Sequence, residues 1–129
     1  MIYVKINGTL YPATINGKMI DNEWNNRASK AITLEMDYVT AIETFNDGLE
    51  WSIVMREQRP AFEKDENGEF VLDENGQFIQ IGFEPVDTEY DNSDYDVAGP
   101  ITDNRDGTIT AKMGKYTAEE LLAMIEGAL

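Results

Sequence analysis

The densest grouping of side chains able to do chemistry is a repeat. Asp65-Glu66-Asn67-Gly68-Glu69-Phe70 recurs eight residues later as Asp73-Glu74-Asn75-Gly76-Gln77-Phe78. Carboxylate and amide oxygens are the ligands that calcium takes. A calcium loop of the EF-hand kind needs such oxygens at alternate positions, then a glycine, then a bidentate glutamate six residues on. Setting Gly107 at that glycine puts Thr102 first and Met113 last, so both ends fail. Setting Gly68 there brings Glu74 to the last place, and the match remains incomplete. The simpler expectation is a tandem turn, in which each Asn-Gly reverses the chain and the apolar residues after it begin a short strand. Two copies are too few for a solenoid.

Other reactive groupings are scarce. The 129 residues include no histidine and no cysteine. This removes the commonest proton shuttle near neutral pH, the thiolate nucleophile and the soft metal ligands. Ser29, Ser52 and Ser93 have no histidine to activate them. Two carboxylates facing each other across a cleft could cleave a glycosidic bond. With 25 acidic residues, however, such a pair arises by chance and carries no weight. No phosphate-binding loop or dinucleotide fingerprint is present. The expectation is a protein that is not an enzyme and has no cofactor and no metal.

Charge narrows the partners. Ten basic residues stand against 25 acidic ones, a net charge of -15. Residues 57–106 hold 15 acidic and 3 basic groups, a net of -12. Such a field repels nucleic acid and anionic lipid and favours a basic protein or cations. It also keeps a protein dispersed. The length and the 42% apolar content suit one ordinary domain with one core. No apolar run is long enough to span a membrane, and the first residues are neither basic nor apolar in the manner of a signal peptide. A soluble chain made in the cytoplasm is expected, with nucleic acid and membranes excluded as partners.

The elements that would position these residues follow from periodicity. Ile2, Val4 and Ile6 alternate with polar-faced neighbours, and Asn7-Gly8 is suited to a two-residue hairpin turn into residues 9–15. That turn sets Val4 opposite Tyr11. Asn16-Gly17 offers a second turn into residues 18–20, or else one longer strand runs through it. Pro12 marks an edge or a bulge. Residues 21–30 read as a polar loop around Trp24, and residues 31–36 as a strand. Asp37 can cap a short helix to about residue 46, with Tyr38, Ala41, Ile42 and Phe45 as its stripe. A strand covers 50–57, and 84–96 read as acidic and irregular. Residues 97–101 and 108–113 form a hairpin. Thr117-Ala118-Glu119-Glu120 is a capping box opening a helix to about residue 126, with Leu121, Leu122 and Ile125 as the stripe to be buried. The expected fold is α+β: one domain over 1–129, a mostly antiparallel β-sheet with two short helices packed on one face and a projecting acidic β-hairpin inserted at about 57–96.

Candidate contact residues lie where large aromatics meet polar surroundings. Trp24 sits in a polar loop, as a lid on the core or as part of a contact surface. Tyr90 and Tyr95 are interleaved with acids and could line a partner site. Asp65, Glu66, Asp73 and Glu74 would form the acidic turn tips.

Several stretches together carry a resemblance. They are Trp51-Ser52-Ile53-Val54, Tyr90-Asp91-Asn92-Ser93-Asp94-Tyr95, Ala98-Gly99 with Ile101-Thr102-Asp103-Asn104-Arg105-Asp106-Gly107-Thr108, and Lys112-Met113-Gly114-Lys115 leading into Thr117-Ala118-Glu119-Glu120-Leu121-Leu122. They resemble small acidic proteins encoded in prophages of anaerobic gut bacteria, near tail and baseplate genes. The resemblance covers most of the chain, with 61–83 its least constrained part. It implies a phage context, a particle component or assembly helper with protein partners, and association with the virion. It transfers no catalytic residue. The expected function is a non-enzymatic structural or accessory protein acting through protein–protein contacts, with a homo-oligomer left open. The alternatives are an acidic DNA-mimic inhibitor of a host nucleic-acid-binding protein and a calcium-dependent surface or adhesion module.

Overall fold

In the computed structural model, which describes residues 1–127, seven strands form one antiparallel sheet with two helices. β1 (Ile2–Ile6) turns at Asn7 and Gly8, with φ of 50° and 80°, into β2 (Thr9–Asp21). Val4 pairs with Tyr11, the register that a two-residue turn dictates. β2 runs straight through Asn16-Gly17, which pair with Ala31 and Lys30 of β3 (Arg27–Glu35). The longer-strand alternative therefore holds, because β3 supplies a continuous partner. Pro12 is the last residue of β2 to pair with β1, and Ala13 is the first to pair with β3.

Asp37 caps α1 (Tyr38–Thr44), accepting the Thr40 N–H at 2.8 Å. β4 (Trp51–Phe62) and β5 (Gln80–Asp91) then pair from Ser52 opposite Asp91 to Phe62 opposite Gln80, with an irregularity between Ala61 and Phe62. Residues 84–91 are thus strand, not irregular: Val54 and Arg56 of β4 face Glu89 and Asp87, and the Arg56 guanidinium grips the Asp87 carboxylate at 2.7 and 2.9 Å. β6 (Val97–Asp103) and β7 (Thr108–Gly114) make the last hairpin, and α2 (Ala118–Gly127) follows. The strand order is β5-β4-β1-β2-β3-β7-β6.

One face of the sheet carries the core. Val4, Ile6, Ile32, Leu34, Trp51, Ile109, Ala111 and Met113 meet Ala41 and Phe45 of α1, which packs on β6 and β7. The fold is α+β, as expected, but only α1 packs on the sheet. No residue of α2 is buried, and Leu121, Leu122 and Ile125 are 47%, 56% and 61% exposed. The capping box forms as expected, with the Glu120 N–H donating to Thr117 Oγ1 and the Thr117 N–H to Glu120 Oε1. Capping and amphipathic spacing are local properties and do not say what covers the apolar face. No helix among the described residues is long and apolar enough to cross a membrane.

Candidate functional site

The repeat folds as two turns of the same build. Asp65 Oδ1 accepts the N–H groups of Asn67 and Glu69, and Asp73 Oδ1 accepts those of Asn75 and Gln77. Gly68 and Gly76 take φ of 80° and 76°, a conformation that disfavours side chains with a Cβ. The turns bring residues back into register as Lys64 opposite Phe70 and Leu72 opposite Phe78. Contrary to the sequence expectation, Glu63, Asp65, Asn67, Gly68 and Glu74 do meet the oxygen spacing of a calcium loop, but in the fold that stretch is divided between the two turns, whose aspartates use Oδ1 to hold backbone amides. No group of three or more acidic residues among the described residues is placed to hold a metal ion.

Behind the turns lies an aromatic cluster. The rings of Phe62, Phe70 and Phe78 stand 5.0 to 6.4 Å apart, in tilted and edge-on contacts. Phe62 is half-buried, but Phe70, Leu72 and Phe78 are about half exposed. Ile81 and Phe83, two residues apart on β5, are 65% and 67% exposed. The candidate tips Asp65, Glu66, Asp73 and Glu74 are all exposed beside this cluster. Composition had drawn attention to the acids; the apolar residues between them are exposed as well.

Trp24, Tyr90 and Tyr95 lie elsewhere and do not converge. The Trp24 ring covers Gly99 and Gly114: a Cβ on Gly99 would come within 2.6 Å of it. Arg27 lies 4.6 Å from the ring centroid and makes a bidentate pair with Glu120 at 2.8 and 3.0 Å. Arg27 also donates to the Lys115 carbonyl. The Arg27 guanidinium lowers the Glu120 pKa from 4.5 to about 2, with help from the Thr117 amide. This node ties α2 to the sheet. Tyr95 is half-buried, its carbonyl accepts the Trp51 indole N–H at 2.9 Å, and Lys30 and Lys115 lie over its ring at 4.4 and 4.9 Å. Burial pushes Lys30 below the ordinary lysine value, while the hydrogen bond that Lys115 donates to the Asp94 carboxylate raises Lys115. Tyr90 is half-exposed on β5 opposite Ile53.

Two buried ionic groups were not anticipated, Arg27 and Asp21. Asp21 is fully buried, accepting from Ser29 Oγ at 2.8 Å and Lys112 Nζ at 3.0 Å. The Lys112 bond, then the Ser29 bond, lower its pKa from 3.8 to about 2. Sealed and ionised, it anchors β2, β3 and β7 together and has no free edge to offer a substrate.

No family model matches the chain, and no curated protein and no solved structure matches it.

A groove of about 580 Å³ lies at the end of the sheet where β1 starts and β3 ends, lined by Met1, Ile2, Tyr11, Ala13 and Leu34 with polar rims. Apolar surface is thus exposed at the aromatic turns, at the groove and on α2, as well as at Met19 and Ile20 of β2.

Proposed function

We propose that this chain is a non-enzymatic phage structural or accessory protein that acts through protein–protein contacts, with the β4–β5 hairpin as its projecting acidic arm. The observation that carries the reading is the exposure of Phe70, Leu72 and Phe78 at the two turns and of Ile81 and Phe83 on the adjoining stretch of β5. Contiguous apolar surface of a few hundred Å² on a soluble domain marks a place where another protein binds. The acidic rim of Asp65, Glu66, Asp73 and Glu74 selects a partner with an apolar pocket and basic edges. The phage setting rests on the sequence resemblance. The absence of histidine and cysteine from the sequence and the sealed state of Asp21 support a role without chemistry.

A DNA mimic is less well supported. It needs an array of free carboxylates along one face, whereas Asp87 is paired with Arg56 and Glu89 with Lys5, and aromatic rings interrupt the rest.

The test is fractionation of phage particles and tail-assembly intermediates. The wild-type chain is expected to co-purify with them. A Phe70→Ser, Phe78→Ser variant is expected to keep its circular dichroism melting profile and to be lost from them. Absence of the wild-type chain from both fractions would overturn the reading.

A further inference from the structure

We propose that the second of the two turns is a docking point for a lysine or arginine side chain of a protein partner, whose charged head lies over the Phe78 ring, with Asp73 and Glu74 as the negative charges that draw it in. The inference rests on the reading of the arm as a contact surface and names the chemistry that the arm receives.

The two copies of the repeat differ in one informative respect. Both turns have the same build: an aspartate Oδ1 accepting two backbone N–H groups, a glycine at positive φ, and a phenylalanine paired across a β-bridge with the residue before the aspartate. In the first turn that residue is Lys64, and its ammonium lies over the Phe70 ring, 5.1 Å from the centroid. Glu63, Asp65, Glu66 and Glu69 are its neighbours in sequence, yet Lys64 is in no ion pair among the described residues. An aromatic face attracts a cation through its quadrupole, whereas an exposed ion pair gains little over hydration. The ring face is therefore where a cation comes to rest on this scaffold. In the second turn the bridging residue is Leu72, which brings no charge, and among the described residues no cation lies over Phe78. The second turn repeats the receiver of the first without its cation. Phe78 is 56% exposed and Leu72 53%, so a side chain from outside can reach both.

Charge decides what arrives there. Residues 62–80 hold Glu63, Asp65, Glu66, Glu69, Asp73 and Glu74 against Lys64 alone, a net of -5. Lys64 is the only basic residue between Arg59 and Arg105 in the sequence. Such a field draws in a basic segment and opposes an acidic one, a second copy of this chain at -15 included. A wholly apolar partner would leave the carboxylates without a counter-charge. A lysine or arginine suits both parts of the surface, because its aliphatic stem covers Leu72 while its head stays charged over the ring.

The probe is a peptide of alternating lysine and alanine, titrated calorimetrically into the full 129-residue chain at low salt. Phe78→Leu keeps an apolar side chain and removes the ring face. It is expected to weaken binding about two- to fivefold, the range of an exposed cation–π contact. Leu72→Lys completes the second turn as a copy of the first and supplies its own cation. It is expected to weaken binding more than Asn75→Lys, which adds the same charge to the same turn. The same peptide with trimethylated lysines keeps the charge but cannot donate hydrogen bonds, and it is expected to bind at least as tightly. All three variants change exposed residues of the locally built tip, and their circular dichroism melts are expected to match that of the wild type. No binding by the wild-type chain, undiminished binding by Phe78→Leu, equal losses in the two lysine variants, or loss of the trimethylated peptide would each overturn the inference. The last result would assign the cation to hydrogen bonds with carboxylates. Should Phe70→Ser, Phe78→Ser be lost from particles while peptide binding ignores Phe78, the proposed function stands and this site falls. Should the wild-type chain be absent from particles while peptide binding depends on Phe78, the site stands and the phage reading falls.

Discussion

Asp21 shows how a single side chain can be mistaken in kind. In the sequence it is one acid among 25, yet it is fully buried and accepts from Ser29 and Lys112. Its folded pKa of about 2 lies below the ordinary 3.8. The group's contribution to stability is therefore fully present above pH 3.8 and lost as the pH falls toward 2. Asp21→Asn should lower the melting temperature at pH 7, and the gap between variant and wild type should close between pH 4 and pH 2 in thermal melts. A gap independent of pH would mean that the charge is not what matters. Gly99 makes a second residue-scale case. Its role is a close approach, since a Cβ would lie 2.6 Å from the Trp24 ring. Gly99→Ala should cost about 1–3 kcal/mol in chemical denaturation, the usual cost of overpacking, and should shift Trp24 fluorescence. A change below about 0.5 kcal/mol, typical of an open surface site, would place Trp24 away from that glycine.

The two helices show why an element's pattern underdetermines its packing. Both carry apolar residues at helical spacing, and both are capped as their sequences direct. Ala41 and Phe45 are buried against β6 and β7, whereas α2 rests on one ion pair with its stripe in solvent. The long β4–β5 hairpin is a further lesson. Acidic residues over 84–91 obscured a strand that pairing and the Arg56–Asp87 bridge stabilise. Its distal end is locally built, because the bonds of Glu63 go to Val71 and Ile79 and those of Asp65 to Asn67 and Glu69. Replacing residues 63–79 by Asn-Gly between Phe62 and Gln80 should therefore change stability by no more than about 1 kcal/mol, as for a shortened surface loop. Urea denaturation of the shortened chain measures this. A loss of cooperative unfolding would show that the turns support the body.

At the scale of the whole molecule the net charge of -15 dominates behaviour in solution. Self-repulsion destabilises a compact acidic body, and salt relieves it. The melting temperature should rise with ionic strength, and at matched ionic strength calcium should do no more than sodium, because the turn aspartates already hold backbone amides. A calcium-specific rise in calorimetry would revive the calcium-dependent adhesion module.

Sequence alone settled what is local. The Asn7-Gly8 turn, the Val4–Tyr11 register, the Asp37 cap, the last hairpin and the tandem Asn-Gly turns depend on residues a few positions apart, whose conformational preferences act without the rest of the chain. The tertiary structure decided what depends on distant partners. It set the sheet order, buried Asp21 against Lys112 ninety-one residues away, covered Gly99 and Gly114 with Trp24, and left the face of α2 uncovered. Periodicity specifies that an apolar face exists, and only the path of the chain in space determines whether anything meets it.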